Sequence, residues 1–147
     1  MKKQFLLLLF TGILSAGRAS NTLAVPLELS NALNAKYPKA EKVEWEHPTN
    51  VFKAHFVVDG QTYEAEFNNN AEWKKTQKEI KAETLPAGVK EYLQTGKFSG
   101  WNIQSAYILL FPYIKSKYHV IVINPANELK SLLFNTEGKM VKENFEL

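Results

Sequence analysis

Cysteine is absent from this chain, and with it disulfides, thiolate nucleophiles and thiolate metal sites. Histidine is scarce: His47, His55 and His119 lie far apart, with no metal-ligand spacing between any two. Serine-nucleophile motifs, glycine-rich phosphate loops and paired carboxylates are missing as well. These absences predict no catalytic residues, no metal and no cofactor, and hence a protein that is not an enzyme.

Long apolar runs are also lacking outside the N-terminus. Lys2 and Lys3 precede the run Phe5 to Leu14, which small and polar residues follow. That run is shorter than the roughly 20 residues a membrane span needs and reads as a secretory signal peptide over 1–24. Cleavage after Ala19 or after Ala24 fits equally well. Export without disulfides suits a periplasmic or secreted protein, with no stable membrane anchor once the signal is cut. Surplus charge of one sign is lacking too. The chain's formal +3 comes from Lys2, Lys3 and Arg18, and cutting after Ala19 leaves 15 acidic residues balanced by as many basic ones. The sequence pI near 9.0 is therefore no argument for nucleic-acid binding.

What is present is strong β patterning. Asp59-Gly60 separates two alternating runs, the signature of a two-residue hairpin loop. With that loop, Phe52 faces Phe67, Ala54 faces Ala65 and Phe56 faces Tyr63 on one side. Lys53 faces Glu66 and His55 faces Glu64 on the other. A slip of one residue would exchange the faces, so the pattern selects this register, with one face core and the other wet.

Upstream, Leu29, Ala32, Leu33 and Tyr37 recur at helical spacing until Pro38. Val43 and Trp45 alternate with charges in a half-buried strand, and His47 to Asn50 form a turn. After the hairpin, Trp73 to Glu83 is rich in Lys and Glu. Lys74, Lys78 and Lys81 would share a solvated helix face there, interleaved with Glu79 and Glu83. Leu85-Pro86 starts another helix, with Val89, Tyr92 and Leu93 as its apolar stripe and Gly96 as its end. Trp101 to Ile114 holds one or two strands with an edge or bend at Phe111-Pro112. Tyr118 to Ile123 and Leu129 to Phe134 make a second hairpin around Asn124 to Glu128.

Phe134-Asn135-Thr136-Glu137-Gly138-Lys139-Met140 echoes Phe67-Asn68-Asn69-Asn70-Ala71-Glu72-Trp73 at an offset of 67 residues. The expected fold is therefore α+β: two tandem helix-plus-antiparallel-hairpin repeats, about 27–83 and 84–147, within one domain over 25–147. They would form an antiparallel sheet with helices packed on one face.

Several of these residues resemble a known family. Val43-x-Trp45, Phe52-x-Ala54-x-Phe56, Asp59-Gly60, Ala65-x-Phe67, Trp73, Thr76, Ile80 and Leu85-Pro86 together are similar to the PepSY-like, beta-lactamase-inhibitor-like proteins, small exported bacterial proteins of two such repeats. The likeness runs from about Leu27 onward and is clearest from Ala40 to Val89. It departs at Asn70-Ala71-Glu72, which replaces the glycine-containing turn kept at Gly138. The resemblance implies binding or restraint of proteins at the cell envelope through an open sheet face, and it carries no catalytic residues.

The second hairpin sharpens that implication. If Tyr118 faces Phe134 and Val120 faces Leu132, then His119, Ile121, Ile123, Leu129 and Leu133 point to the other side. A sheet covered by helices on one side does not need two apolar faces. Either the segment Leu109 to Tyr113 folds over these residues or a partner does. They are the candidate binding residues, for an envelope or secreted protein or peptide and not for nucleic acid. The rival reading is a periplasmic carrier enclosing a small apolar ligand.

Overall fold

The computed structural model describes residues 24–146. The signal-peptide assignment falls on residues outside that range, apart from Ala24. The described chain is α+β and mostly sheet, with two helices and one eight-stranded antiparallel sheet. Helix α1 (Leu27–Lys36) precedes β1 (Glu41–Glu46), β2 (Val51–Val58), β3 (Gln61–Asn68) and β4 (Trp73–Ile80). Helix α2 (Ala87–Thr95) precedes β5 (Asn102–Leu110), β6 (Lys117–Ile123), β7 (Leu129–Phe134) and β8 (Met140–Glu143). The strands lie side by side in sequence order from β1 to β8.

The hairpin β2–β3 turns at Asp59-Gly60 in the expected register, pairing Phe52 with Phe67, Ala54 with Ala65 and Phe56 with Tyr63. Both loop residues have positive φ, 49° at Asp59 and 78° at Gly60, as a tight hairpin loop requires. The β6–β7 hairpin likewise pairs Tyr118 with Phe134 and Val120 with Leu132.

Trp73–Ile80 is a strand, where the sequence suggested a helix face of lysines. Helix-favouring Lys, Gln and Glu are overridden because β4 pairs on both sides, with β3 and with β5. In a strand Lys74 and Lys78 share a face with the fully buried Thr76, Lys75 points the opposite way, and Lys81 lies beyond the end. Strand β1 also departs from expectation: Trp45 is half-buried, but Val43 is exposed. It is an edge strand, bulged between Glu41 and Glu44 with Lys42 at a φ of 53°, and Val43 lies with Trp45 along an open cleft beside Ser30, Leu33 and Asn34 of α1.

Residues paired across strands share a face, so the register tracks one side across the sheet. Ala65 opposes Thr76, Ile80 opposes Ala106, Ala106 opposes Val120, and Val120 opposes Leu132. Both helices pack on this side. Leu29 and Leu33 of α1 cover Phe52, Ala54, Phe56, Ala65 and Phe67. Leu85, Val89 and Leu93 cover Ala106, Val120, Val122, Leu132 and Phe134. Within the first cluster the Thr76 hydroxyl accepts hydrogen bonds from Tyr37 Oη at 2.6 Å and Trp73 Nε1 at 2.9 Å. Burial raises the Tyr37 phenol above its ordinary pKa, with the Thr76 bond opposing this.

Three turns share one design. Asn68, Asn124 and Asn135 each accept, through Oδ1, backbone N–H bonds from the residues two and four positions on. The fourth position of each is left-handed: Ala71 at φ 59°, Asn127 at 63° and Gly138 at 83°. The Asn70-Ala71-Glu72 departure thus leaves the turn geometry unchanged and forces an alanine into a glycine conformation.

Candidate binding face

The side of the sheet opposite the helices divides into two halves. On β2 to β4 it is charged. Lys53 Nζ lies 3.3 Å from both Glu64 and Glu66, and Lys75 Nζ lies 3.1 Å from Glu66. His55 extends the row, 3.6 Å from Glu64 and 3.5 Å from Glu46. The alternation of the hairpin places these residues together, but they are less wet than expected: the four Lys and Glu side chains are only 12–20% exposed. Burial would lower the Lys53 pKa, yet the carboxylates of Glu64 and Glu66 outweigh it and hold the ammonium above its usual value.

On β5 to β7 the same side is aromatic and aliphatic. Tyr107 opposes His119, and His119 opposes Leu133. Ile121 opposes Ser131, and Ile123 opposes Leu129. All five residues singled out in the sequence therefore share this side, in a graded order of exposure. His119 and Leu133 are buried, Ile121 and Ile123 are half-buried, and Leu129 is 53% exposed.

Neither helix covers His119. Leu109 belongs to β5, while Pro112, Tyr113 and Ile114 form an exposed turn beyond it. The covering group is Phe145, just after β8, whose ring meets the His119 imidazole edge-on at 5.3 Å. Tyr107 stacks on the imidazole at 5.6 Å. Asn144, at φ 53°, turns the chain inward. Phe145 N–H then donates to the Ser131 carbonyl at 3.2 Å, and Ser131 Oγ donates to the Phe145 carbonyl at 2.6 Å.

That second bond fixes the histidine tautomer. Because the only hydroxyl proton of Ser131 is given to Phe145, its oxygen must accept from His119 Nε2, 2.7 Å away. The proton is on Nε2, and the lone pair on Nδ1 is buried without a partner among the described residues. Burial first, and the charge of Lys75 second, hold the His119 pKa below its ordinary value. The ring is a neutral structural group linking three elements. The sequence displayed Tyr107 as an ordinary strand aromatic, and nothing local signalled Phe145, since its partners lie 14 and more residues away.

Other hollows are open clefts rather than enclosed cavities. A cleft of about 470 Å³ lies between α2 and the start of β5, lined by Leu93, Gln94, Trp101 and Ile103 among others. A smaller one of about 170 Å³ joins the two halves of the helix-free face at His55, Gln77 and Tyr107. Among the described residues, no group of three or more His, Cys, Asp or Glu is placed to hold a metal ion. No described helix is long and apolar enough to cross a membrane.

The family model described as "Putative beta-lactamase-inhibitor-like, PepSY-like" matches residues 50–142, from the turn before β2 into β8. The chain belongs to that family. Three solved structures share the fold seen here. A DUF2874 family protein from Bacteroides uniformis is 24% identical with a TM-score of 0.77, covering 81% of this chain and 88% of its own. A protein from Bacteroides eggerthii, described as "putative periplasmic", has the same identity and TM-score over 81% of this chain and 87% of its own. A BLIP-like protein from Bacteroides fragilis is 25% identical with a TM-score of 0.73, covering 84% and 87% of the two chains. No curated protein matches the sequence.

Proposed function

We propose that this PepSY-like protein is an exported, non-enzymatic binding module that restrains a protein at the cell envelope through the helix-free side of β5 to β7. One observation carries the reading. Ile121, Ile123 and Leu129 lie together on a sheet face over which neither described helix packs, at the rim of the buried His119 and Leu133. Apolar anchors on a face that also carries a polar network, here the Lys53–Glu66–Lys75 row on β2 to β4, are the usual composition of a protein contact surface.

The inhibitor-like description of the family and the BLIP-like name of one neighbour support a binding role. The periplasmic description of another supports export. The halves 27–83 and 84–147, each a helix followed by four strands, fit descent from one duplicated unit. The clefts beside the helices are open, which favours a binder over a carrier that encloses an apolar ligand.

The test pairs capture with stability. Mature protein and an Ile121→Asp variant are each used to capture partners from envelope extract, and both are melted. A contact surface predicts that a specific capture disappears in the variant while the melting temperature changes little. Identical capture by both proteins would refute the assignment of this face.

A further inference from the structure

The segment after β8 folds back onto the sheet it belongs to. Phe145 lies over β7 and reaches His119 on β6, two strands in from the β8 edge. Its N–H bonds to the Ser131 carbonyl and its carbonyl to the Ser131 hydroxyl, while its ring packs edge-on against His119, on which Tyr107 also stacks. Such a pairing is how an extended peptide docks on a sheet, with backbone bonds for affinity and one side-chain pocket for selectivity.

The attachment is slight. Strand β8 has four residues and pairs on one side only, and Asn144 holds a left-handed conformation that an L-residue adopts at a cost. Phe145 is itself only half-buried. Beneath it, His119 Nδ1 is an acceptor with no donor, an unmet demand that this segment does not answer.

We propose that the site formed by His119 and Ser131, flanked by Tyr107, is a docking site for an aromatic side chain carried on an extended segment of a partner protein, and that Phe145 occupies it in the free protein. The occupant's chemistry is read from the residue already there: an aromatic ring against the imidazole, with its own N–H and C=O bonded to Ser131. A partner that also brought a donor to Nδ1 would bind better than Phe145 does. The proposal rests on the binding face described above and names the group that face accepts.

The pocket can be tested with a peptide, independently of any natural partner. The probe is the octapeptide of residues 140–147, MVKENFEL, with a control in which its phenylalanine is alanine. Each is titrated into the full mature chain and into Phe145→Ala and Ser131→Ala variants, following the His119 ring protons by NMR. Occupation in cis reduces apparent affinity by the fraction of chains with an empty pocket. Phe145→Ala vacates the ring position while residue 145 keeps its main-chain bonds to Ser131, so it should take the probe through its ring, roughly tenfold or more tightly than the wild type, and the control peptide not at all. Ser131→Ala keeps the ring but loses the hydroxyl tie, and should expose the imidazole while binding the probe weakly.

Equal binding of probe and control, or no binding to a folded Phe145→Ala chain, would overturn the pocket. Should Phe145→Ala fail to fold, a Ser131→Ala chain whose imidazole stays shielded and takes no probe would overturn it as well. A concentration-dependent dimer of the wild type, abolished by Phe145→Ala, would replace the foreign partner by a second copy. A failed peptide titration alongside an Ile121-dependent capture would leave the binding face standing without this pocket.

Discussion

Gly88 of α2 and Gly138 of the β7–β8 turn meet main chain to main chain. A Cβ added to Gly138 would lie 2.6 Å from the Gly88 Cα, and one added to Gly88 would lie 2.7 Å from the Glu137 carbonyl oxygen. The helix is seated on the sheet at this point, and neither backbone can recede without lifting α2 from Val120 and Leu132. Gly88→Ala should therefore cost about 1–3 kcal/mol as an overpacked site. Gly138→Ala should cost more, since it adds the strain of a left-handed alanine. Urea unfolding of the two variants checks both the losses and their order.

The first-half counterpart of Gly138 inverts that expectation. Ala71 already has a φ of 59°, so Ala71→Gly removes strain and should stabilise the protein by roughly 0.5–1 kcal/mol. A rise in the urea midpoint with an unchanged slope is the expected result.

Thr76→Val keeps the shape of a buried side chain and deletes the one acceptor shared by Tyr37 and Trp73. Two donors are left unpaired in the core, so the loss should reach about 1–3 kcal/mol. Tyr37→Phe made on top of Thr76→Val should recover part of it, because it removes one of those donors. A double-mutant cycle reads the coupling directly.

Lys53 and Phe52 are neighbours on opposite faces. Phe52→Ala empties a core position and should cost about 3–5 kcal/mol. Lys53→Ala should exceed the roughly 0.5 kcal/mol of ordinary surface changes, because Glu64 and Glu66 are only 20% and 12% exposed and would lose a shared cation. Raising the salt concentration should shrink the second loss and leave the first unaffected.

His119 should make stability depend on pH. Its folded pKa lies below the ordinary 6.5, so the unfolded chain binds the proton more readily than the native one. The stabilisation is complete above pH 6.5 and is lost as pH falls through the lower, folded value. Melting temperatures from pH 7.5 downward should therefore drop more steeply for the wild type than for His119→Asn, which has no proton to gain.

The legible part of this fold was local. The β2–β3 register could be read because an Asp-Gly loop and eight alternating residues on each side leave no second solution. The shared side of His119, Ile121, Ile123, Leu129 and Leu133 followed in the same way. Strand β4 was not legible, because WKKTQKEI carries helix-forming residues and its burial is conferred by neighbours on both sides. The cover over His119 was hidden for a similar reason. Nothing in Asn144-Phe145 shows that a serine 14 positions back would hold it.

Strands laid down in chain order also bear on how the molecule assembles. Each strand bonds to its sequence neighbours, so every new strand finds its partner already formed and no early segment waits for a distant one. Loops to be closed are short, and the entropy spent before the first contacts form is small. A chain that emerges N-terminus first pairs each strand with the one before it, and so presents few unpaired edges on the way. On that route the Ser131–Phe145 pair closes only after every strand it rests on is already in place.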